Sequence, residues 1–135
     1  SYFDYLSAVL ESVKADFDYQ IVGHIGYVSR YRRGGKLCYK DFSDIIDEIL
    51  KEIIVRGKCL ELNTSVGISE NKFLPDVDII SRYLQLGGEK LSFGSDAHKV
   101  GDYQRRSGVM KDFLKSVGVS RLYYYKNRQP VAYKI

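Results

Sequence analysis

The chain has 135 residues, 44% of them hydrophobic and 28% charged, with 2 Pro, 2 Cys and 2 His. That length suits one ordinary domain, and the balance excludes a disordered chain. Its 21 basic residues are interspersed with 17 acidic ones for a net charge of +4, which favours an anionic partner without choosing between a small substrate and nucleic acid.

No apolar run approaches the ~20 residues of a membrane span, so no membrane partner is expected. The opening SYFDYLSAVLESVK is amphipathic and acidic rather than a signal peptide. Cys38 and Cys59 do not make a disulfide framework, and a reduced, cytoplasmic setting is the expectation. The chain lacks an initiator Met and starts inside a helical pattern, as a piece of a longer protein would.

In chain order, Tyr2 or Phe3, Leu6, Val9, Leu10 and Val13 fall at helical spacing. Residues 18–25 (DYQIVGHI) read as a strand, followed by a basic loop through Gly34 and Gly35. Residues 41–57 carry Phe42, Ile45, Ile46, Ile49, Leu50, Ile53 and Ile54 on one stripe, with Asp41 as the expected N-cap and Gly57 as the stop. A second strand, 58–65 (KCLELNTS), leads into an irregular loop. Pro75 is expected in the first turn of the next helix, with Asp76 and Asp78 at its positive end and Gly87-Gly88 closing it.

A third strand, 90–95, runs into Asp96 and His98. Residues 105–117 then place Val109, Met110, Phe113, Leu114 and Val117 in helical register. The tail 121–135 reads as two short strands around an Asn-Arg-Gln turn, the second weakened by Pro130. Strands alternating with helices predict an α/β fold with parallel strands and outer helices, either an open doubly wound sheet or part of a β/α barrel. In both, ligands sit at the carboxyl ends of the strands.

The chemistry gathers at those ends. His24 follows the first strand, Glu61, Asn63, Thr64 and Ser65 close the second, and Asp96 and His98 follow the third. Positions two apart on an extended chain share a face, so Asp96 and His98 can act together. His24, Asp96 and His98 form a nitrogen-and-oxygen donor set that suits Zn, Mn or Fe at a hydrolytic site. Against this, His24 could be a core histidine held by a backbone carbonyl, and Asp96 a turn residue beside a surface His98. Cys59 reads as a small buried hydrophobe on its strand.

The runs GHIGYVSRY, ILKEIIVRGKCLELNTS, LGGEKLSFGSDAH and YYYKNRQPVAY, in that order, resemble the polymerase-and-histidinol-phosphatase (PHP) family, of the histidinol-phosphate phosphatase type. The likeness covers nearly the whole chain. It implies a distorted, TIM-like β/α barrel with up to three divalent metals at its strand ends. It implies that His24, Asp96 and His98 are metal ligands, with Asp96 and His98 serving catalysis. Arg30, with Ser29 and Arg33 as secondary candidates, would hold the substrate phosphate, although a solvated basic loop explains Arg33 as well.

Two departures stand out. Gly26 replaces the acidic residue that the family commonly carries two positions after the GH histidine. The family's H-x-H pair and further early ligands do not occur. Residues 1–135 therefore read as a single partial domain, the C-terminal half of a barrel of about 250 residues, with the N-terminal half absent. The resemblance implies a metal-dependent phosphomonoesterase acting on L-histidinol phosphate in histidine biosynthesis, the full-length protein being the catalyst and this fragment alone inactive. The alternatives are another PHP phosphoesterase, or a noncatalytic fragment that keeps the fold. Expected partners are a small anionic phosphomonoester and the missing half of the barrel or a second copy, with nucleic acid disfavoured.

Overall fold

Ser1 starts the first helix with a capping box: its hydroxyl accepts from the Asp4 N–H while the Asp4 carboxylate reaches back to the Ser1 backbone. Helix α1 (Tyr2–Lys14) buries Tyr2, Leu6 and Val13. The computed structural model describes residues 1–31, 35–66 and 73–135, without the side chains of Arg30 and Tyr31.

The first strand is much shorter than its sequence suggests. Strand β1 spans only Ile21–Val22, because His24 turns out of the extended region at φ +59°. A 3-10 turn, Tyr27–Tyr31, follows. Helix α2 (Ser43–Val55) buries Ile46, Ile49, Leu50 and Ile53, as its apolar stripe requires. Asp41 does not cap it. That residue ends a 3-10 turn, Tyr39–Asp41, and Phe42 takes the N-cap position without a side-chain bond. At the other end Gly57 adopts φ +66°, letting Lys58 N–H reach back to the Ile53 carbonyl at 2.9 Å.

Strand β2 (Cys59–Asn63) is followed by helix α3 (Val77–Gln85). Pro75 lies ahead of that helix rather than in its first turn: it follows a cis peptide bond from Leu74, and Asp76 is the N-cap. Asp78 does sit in the first turn and also accepts the Tyr39 N–H at 2.8 Å, tying α3 to the start of α2. Strand β3 (Leu91–Gly94) and helix α4 (Ser107–Ser116) come next. Met110 and Leu114 are buried, but Val109 and Val117 are 48% and 38% exposed, so the inward stripe of α4 is narrower than its apolar spacing suggests.

The chain ends in an antiparallel hairpin of β4 (Arg121–Lys126) and β5 (Gln129–Lys134). Asn127 and Arg128 both have positive φ, the backbone of a two-residue hairpin turn that matches strand twist. Gln129 therefore belongs to the strand, opposite Lys126.

Strands β1, β2 and β3 form a parallel sheet in sequential order. Leu60 pairs with Leu91 and Leu62 with Phe93. Leu60, Leu62 and Leu91 join the buried side chains of α1, α2, α3 and α4 in one core. The alternate positions of β2, Cys59, Glu61 and Asn63, face the other way. Burial pushes the Cys59 thiol up to about 11, in keeping with its reading as a small hydrophobe. No helix among the described residues is long and apolar enough to cross a membrane.

Candidate functional site at the carboxyl ends of the parallel strands

The two outer strands end in the same unusual way. His24, just past β1, has φ +59°, and Asp96, just past β3, has φ +51°. Left-handed backbone at a non-glycine residue costs on the order of 1–3 kcal/mol and persists only where the surroundings over-determine it. At His24 those surroundings are explicit. Its N–H donates to Glu61 Oε2 at 3.1 Å, and its carbonyl accepts from the Tyr5 hydroxyl at 2.8 Å and the Tyr27 N–H at 2.9 Å. Its ring stacks on Tyr27 with centroids 5.3 Å apart. The Tyr5 hydroxyl also accepts the Gly26 N–H at 3.1 Å. Burial raises the Tyr5 pKa above the usual phenol value, against the opposing pull of the Gly26 and Tyr27 backbone bonds.

Asp96 is held from a different side. Arg105 donates through Nε to the Ser95 carbonyl at 2.9 Å and through Nη2 to the Asp96 carbonyl at 3.1 Å. Thr64, fully buried at the end of β2, donates its N–H to Gly94 O at 2.8 Å and its hydroxyl to Arg105 O at 2.8 Å. His98 turns its Nδ1 toward the Asp96 carbonyl at 2.8 Å, so Asp96 and His98 are in direct contact through the backbone.

Between these ends stands Glu61. Its Oε2 lies 3.9 Å from His24 Nε2, with 18% of the Glu61 side chain and 50% of the His24 side chain exposed. Asn63, one position pair further along β2, is buried. Its Oδ1 accepts the Ser65 N–H at 2.8 Å, and its Nδ2 has no hydrogen-bond partner among the described residues.

The residues expected to bind phosphate divide. The Ser29 hydroxyl donates to Gly26 O at 2.7 Å, on the turn that follows His24. The Arg30 side chain and all of Arg33 lie outside the described residues.

In chemical type the donors at these strand ends fit a borderline-hard divalent ion: two imidazoles and two carboxylates, with no thiolate. As a complete shell they fall short, because among the described residues no three of His, Cys, Asp and Glu lie close enough together to hold one ion. Sequence reasoning placed Glu61 at a strand end without a role, and gave Tyr5 and Arg105 no part in this site. The signal for Glu61 is the pair of glycines that end the flanking strands, since Gly23 and Gly94 leave room for its carboxylate on either side.

The chain is similar to proteins whose activity is named. It is 35% identical over 100 residues to the "probable histidinol-phosphatase" of Clostridium acetobutylicum, covering 70% of this chain and 38% of that protein. It is 29% identical over 97 residues to the histidinol-phosphatase of Lactococcus lactis, covering 70% of this chain and 36% of the relative. The fold matches the crystal structure of the histidinol phosphate phosphatase of Lactococcus lactis, solved with zinc, L-histidinol and phosphate. That match has a TM-score of 0.78 at 22% identity and covers 96% of this chain but 50% of the other. The chain thus spans half or less of the proteins it resembles. No protein-family model matches it.

Proposed function

We propose that this chain is the C-terminal half of a metal-dependent phosphomonoesterase of the PHP family, and that the whole protein hydrolyses L-histidinol phosphate to L-histidinol and phosphate. The relatives named for that activity support the substrate. The single observation that carries the chemistry is the left-handed backbone shared by His24 and Asp96, at the carboxyl ends of the strands on either side of β2, which carries Glu61. The sequential order of the parallel strands is one that a barrel wall shares with one half of a doubly wound sheet, and the fold match to the Lactococcus lactis phosphatase favours the barrel.

In this reading residues 1–135 are one partial domain, and the remaining strands and ligands come from the missing N-terminal half or, failing that, a second copy. His24, Asp96 and His98 hold up to three divalent ions, Zn, Mn or Fe, with Asp96 and His98 next to the reacting phosphate. When bound, such ions neutralise the phosphate and polarise it toward attack. Arg30 can take two phosphate oxygens at once, with Ser29 and Arg33 adding contacts on the same turn. A cytoplasmic setting follows from the biosynthetic role.

The test uses the full-length protein that contains this chain. Histidinol phosphate turnover should vanish on chelation and return with Zn²⁺ or Mn²⁺. His24→Ala or Asp96→Ala should abolish that rescue, and Arg30→Ala should lower kcat/KM more than tenfold. Residues 1–135 alone should show no turnover, since each ion needs about four to six donors. Chelator-resistant activity, or full activity in His24→Ala, overturns the reading. Absence of activity in the full-length protein returns the chain to a noncatalytic module.

A further inference from the structure

We infer that Glu61 is a positioning residue for His24, fixing where the imidazole points at the end of β1. The inference rests on the functional reading above and adds a residue to it. Four observations converge on Glu61. Its Oε2 accepts the His24 N–H at 3.1 Å and lies 3.9 Å from His24 Nε2, so one carboxylate oxygen faces both the backbone and the ring of the same residue. His24 has φ +59°, a conformation that needs outside restraint, and this bond is the restraint on its N–H. The carboxylate stands in a slot that only glycine leaves open. A Cβ on Gly23 would lie 2.8 Å from Oε2, and one on Gly94 would collide with Oε1.

The fourth observation is the position of the slot. Glu61 lies on the middle strand, with Gly23 just beyond the β1 pairing and Gly94 two positions past its own partner Ser92 on β3. Its backbone is fixed by the β3 ladder, just past the last β1 pair at Leu60, while its side chain reaches the first strand end. Gly26, two positions after His24, carries no side-chain acid of its own. Glu61 supplies a carboxylate to that histidine from across the sheet instead. Partners that orient a ligating histidine typically change metal affinity by 10–100-fold when removed.

The experiment is a double-mutant cycle in the full-length protein, read by Zn²⁺ affinity in competition with a chromophoric chelator and by hydrogen exchange of the His24 amide in metal-free protein. Glu61→Ala should weaken Zn²⁺ binding 10–100-fold and speed His24 amide exchange at least tenfold. Glu61→Gln, whose amide oxygen can still accept the His24 N–H, should stay within about threefold of wild type in both readouts. Adding Glu61→Ala to His24→Ala should cost nothing further in affinity. Gly94→Ala, which drives a methyl into the carboxylate, should reproduce the loss and serves if Glu61→Ala does not fold. The inference is overturned by wild-type affinity in Glu61→Ala, by Glu61→Gln as weak as Glu61→Ala, or by losses that add to His24→Ala. If the wild-type protein binds no Zn²⁺, the functional reading fails, and the exchange rates alone decide this one: unchanged exchange in Glu61→Ala overturns it.

Discussion

The hydroxyl of Tyr5, on the first helix, donates a 2.8 Å hydrogen bond to the carbonyl of His24. The same oxygen accepts the Gly26 N–H, so one phenol closes both sides of the left-handed turn. Tyr5→Phe keeps the ring and removes both bonds. It should destabilise the protein by roughly 1–2 kcal/mol, measured by urea unfolding. It should also lower kcat/KM of the full-length protein for the proposed substrate at least threefold, because the turn that carries His24 is loosened. Kinetics and stability identical to wild type would show that Tyr27 and Glu61 hold the turn without it.

Arg105 spans the Ser95 and Asp96 carbonyls with two different nitrogens. A lysine ammonium cannot reproduce that planar fork. Arg105→Lys should therefore lower kcat/KM of the full-length protein about tenfold while moving stability by about 1 kcal/mol or less. A stability loss with unchanged kinetics would confine Arg105 to structural support.

Helices α2 and α3 are joined by a forked pair, with Arg82 Nε and Nη2 at 2.8 and 2.7 Å from the two Asp47 oxygens and Tyr39 donating to Asp47 at 2.9 Å. The Arg82 bonds hold the Asp47 carboxyl below its usual value, against the opposing effect of burial. A depressed carboxyl contributes stability above the unfolded pKa, near 3.9, and loses it as pH falls through the lower folded value. Asp47→Asn should cost roughly 1–2 kcal/mol at pH 7, and its gap from wild type should close below about pH 4. Parallel unfolding curves from pH 7 to 2.5 check this. A gap that does not narrow at all between pH 4 and pH 2.5 would mean packing, not charge, is lost.

Gly88 lies against the ring of Tyr83, where an added Cβ would collide, and the Tyr83 hydroxyl donates to Lys90 O at 2.9 Å. Gly88→Ala should shift that buried ring and cost about 1–3 kcal/mol, with a visible change in near-ultraviolet circular dichroism. Wild-type stability would mean the 87–90 turn yields instead.

The helix α2 stripe and the three strands with their intervening helices could be read from periodicity, because Ile46, Ile49, Leu50, Ile53, Leu60, Leu62, Ile79, Ile80 and Leu91 are buried in the core. What could not be read was set by contacts distant in sequence. The pairing of β1 stops at Val22 because His24 is restrained by Tyr5, Tyr27 and Glu61, and no local pattern announces that. Asp41 has the residue type of a cap, but the preceding 3-10 turn moves the helix start past it. At the site, His24 and His98 stood out as the two histidines of the chain, both at strand ends, and Asp96 through its i, i+2 spacing to His98. Glu61 did not, because one more acidic residue among 17 has no signature until β2 is set between β1 and β3.

Strand β1 offers its one neighbour, β2, only Ile21 and Val22, too brief a ladder to locate the loop beyond it. The first helix does that work instead: it packs along α2 and delivers Tyr5 to His24 from outside the sheet. Leu6 and Val13, buried in the core on that helix, therefore act as the foundations of a bracket rather than as anonymous filler. A slip of α1 along α2 would misalign the histidine even with every strand intact. Repacking that interface is thus a route by which changes remote from the strand ends could retune the chemistry there.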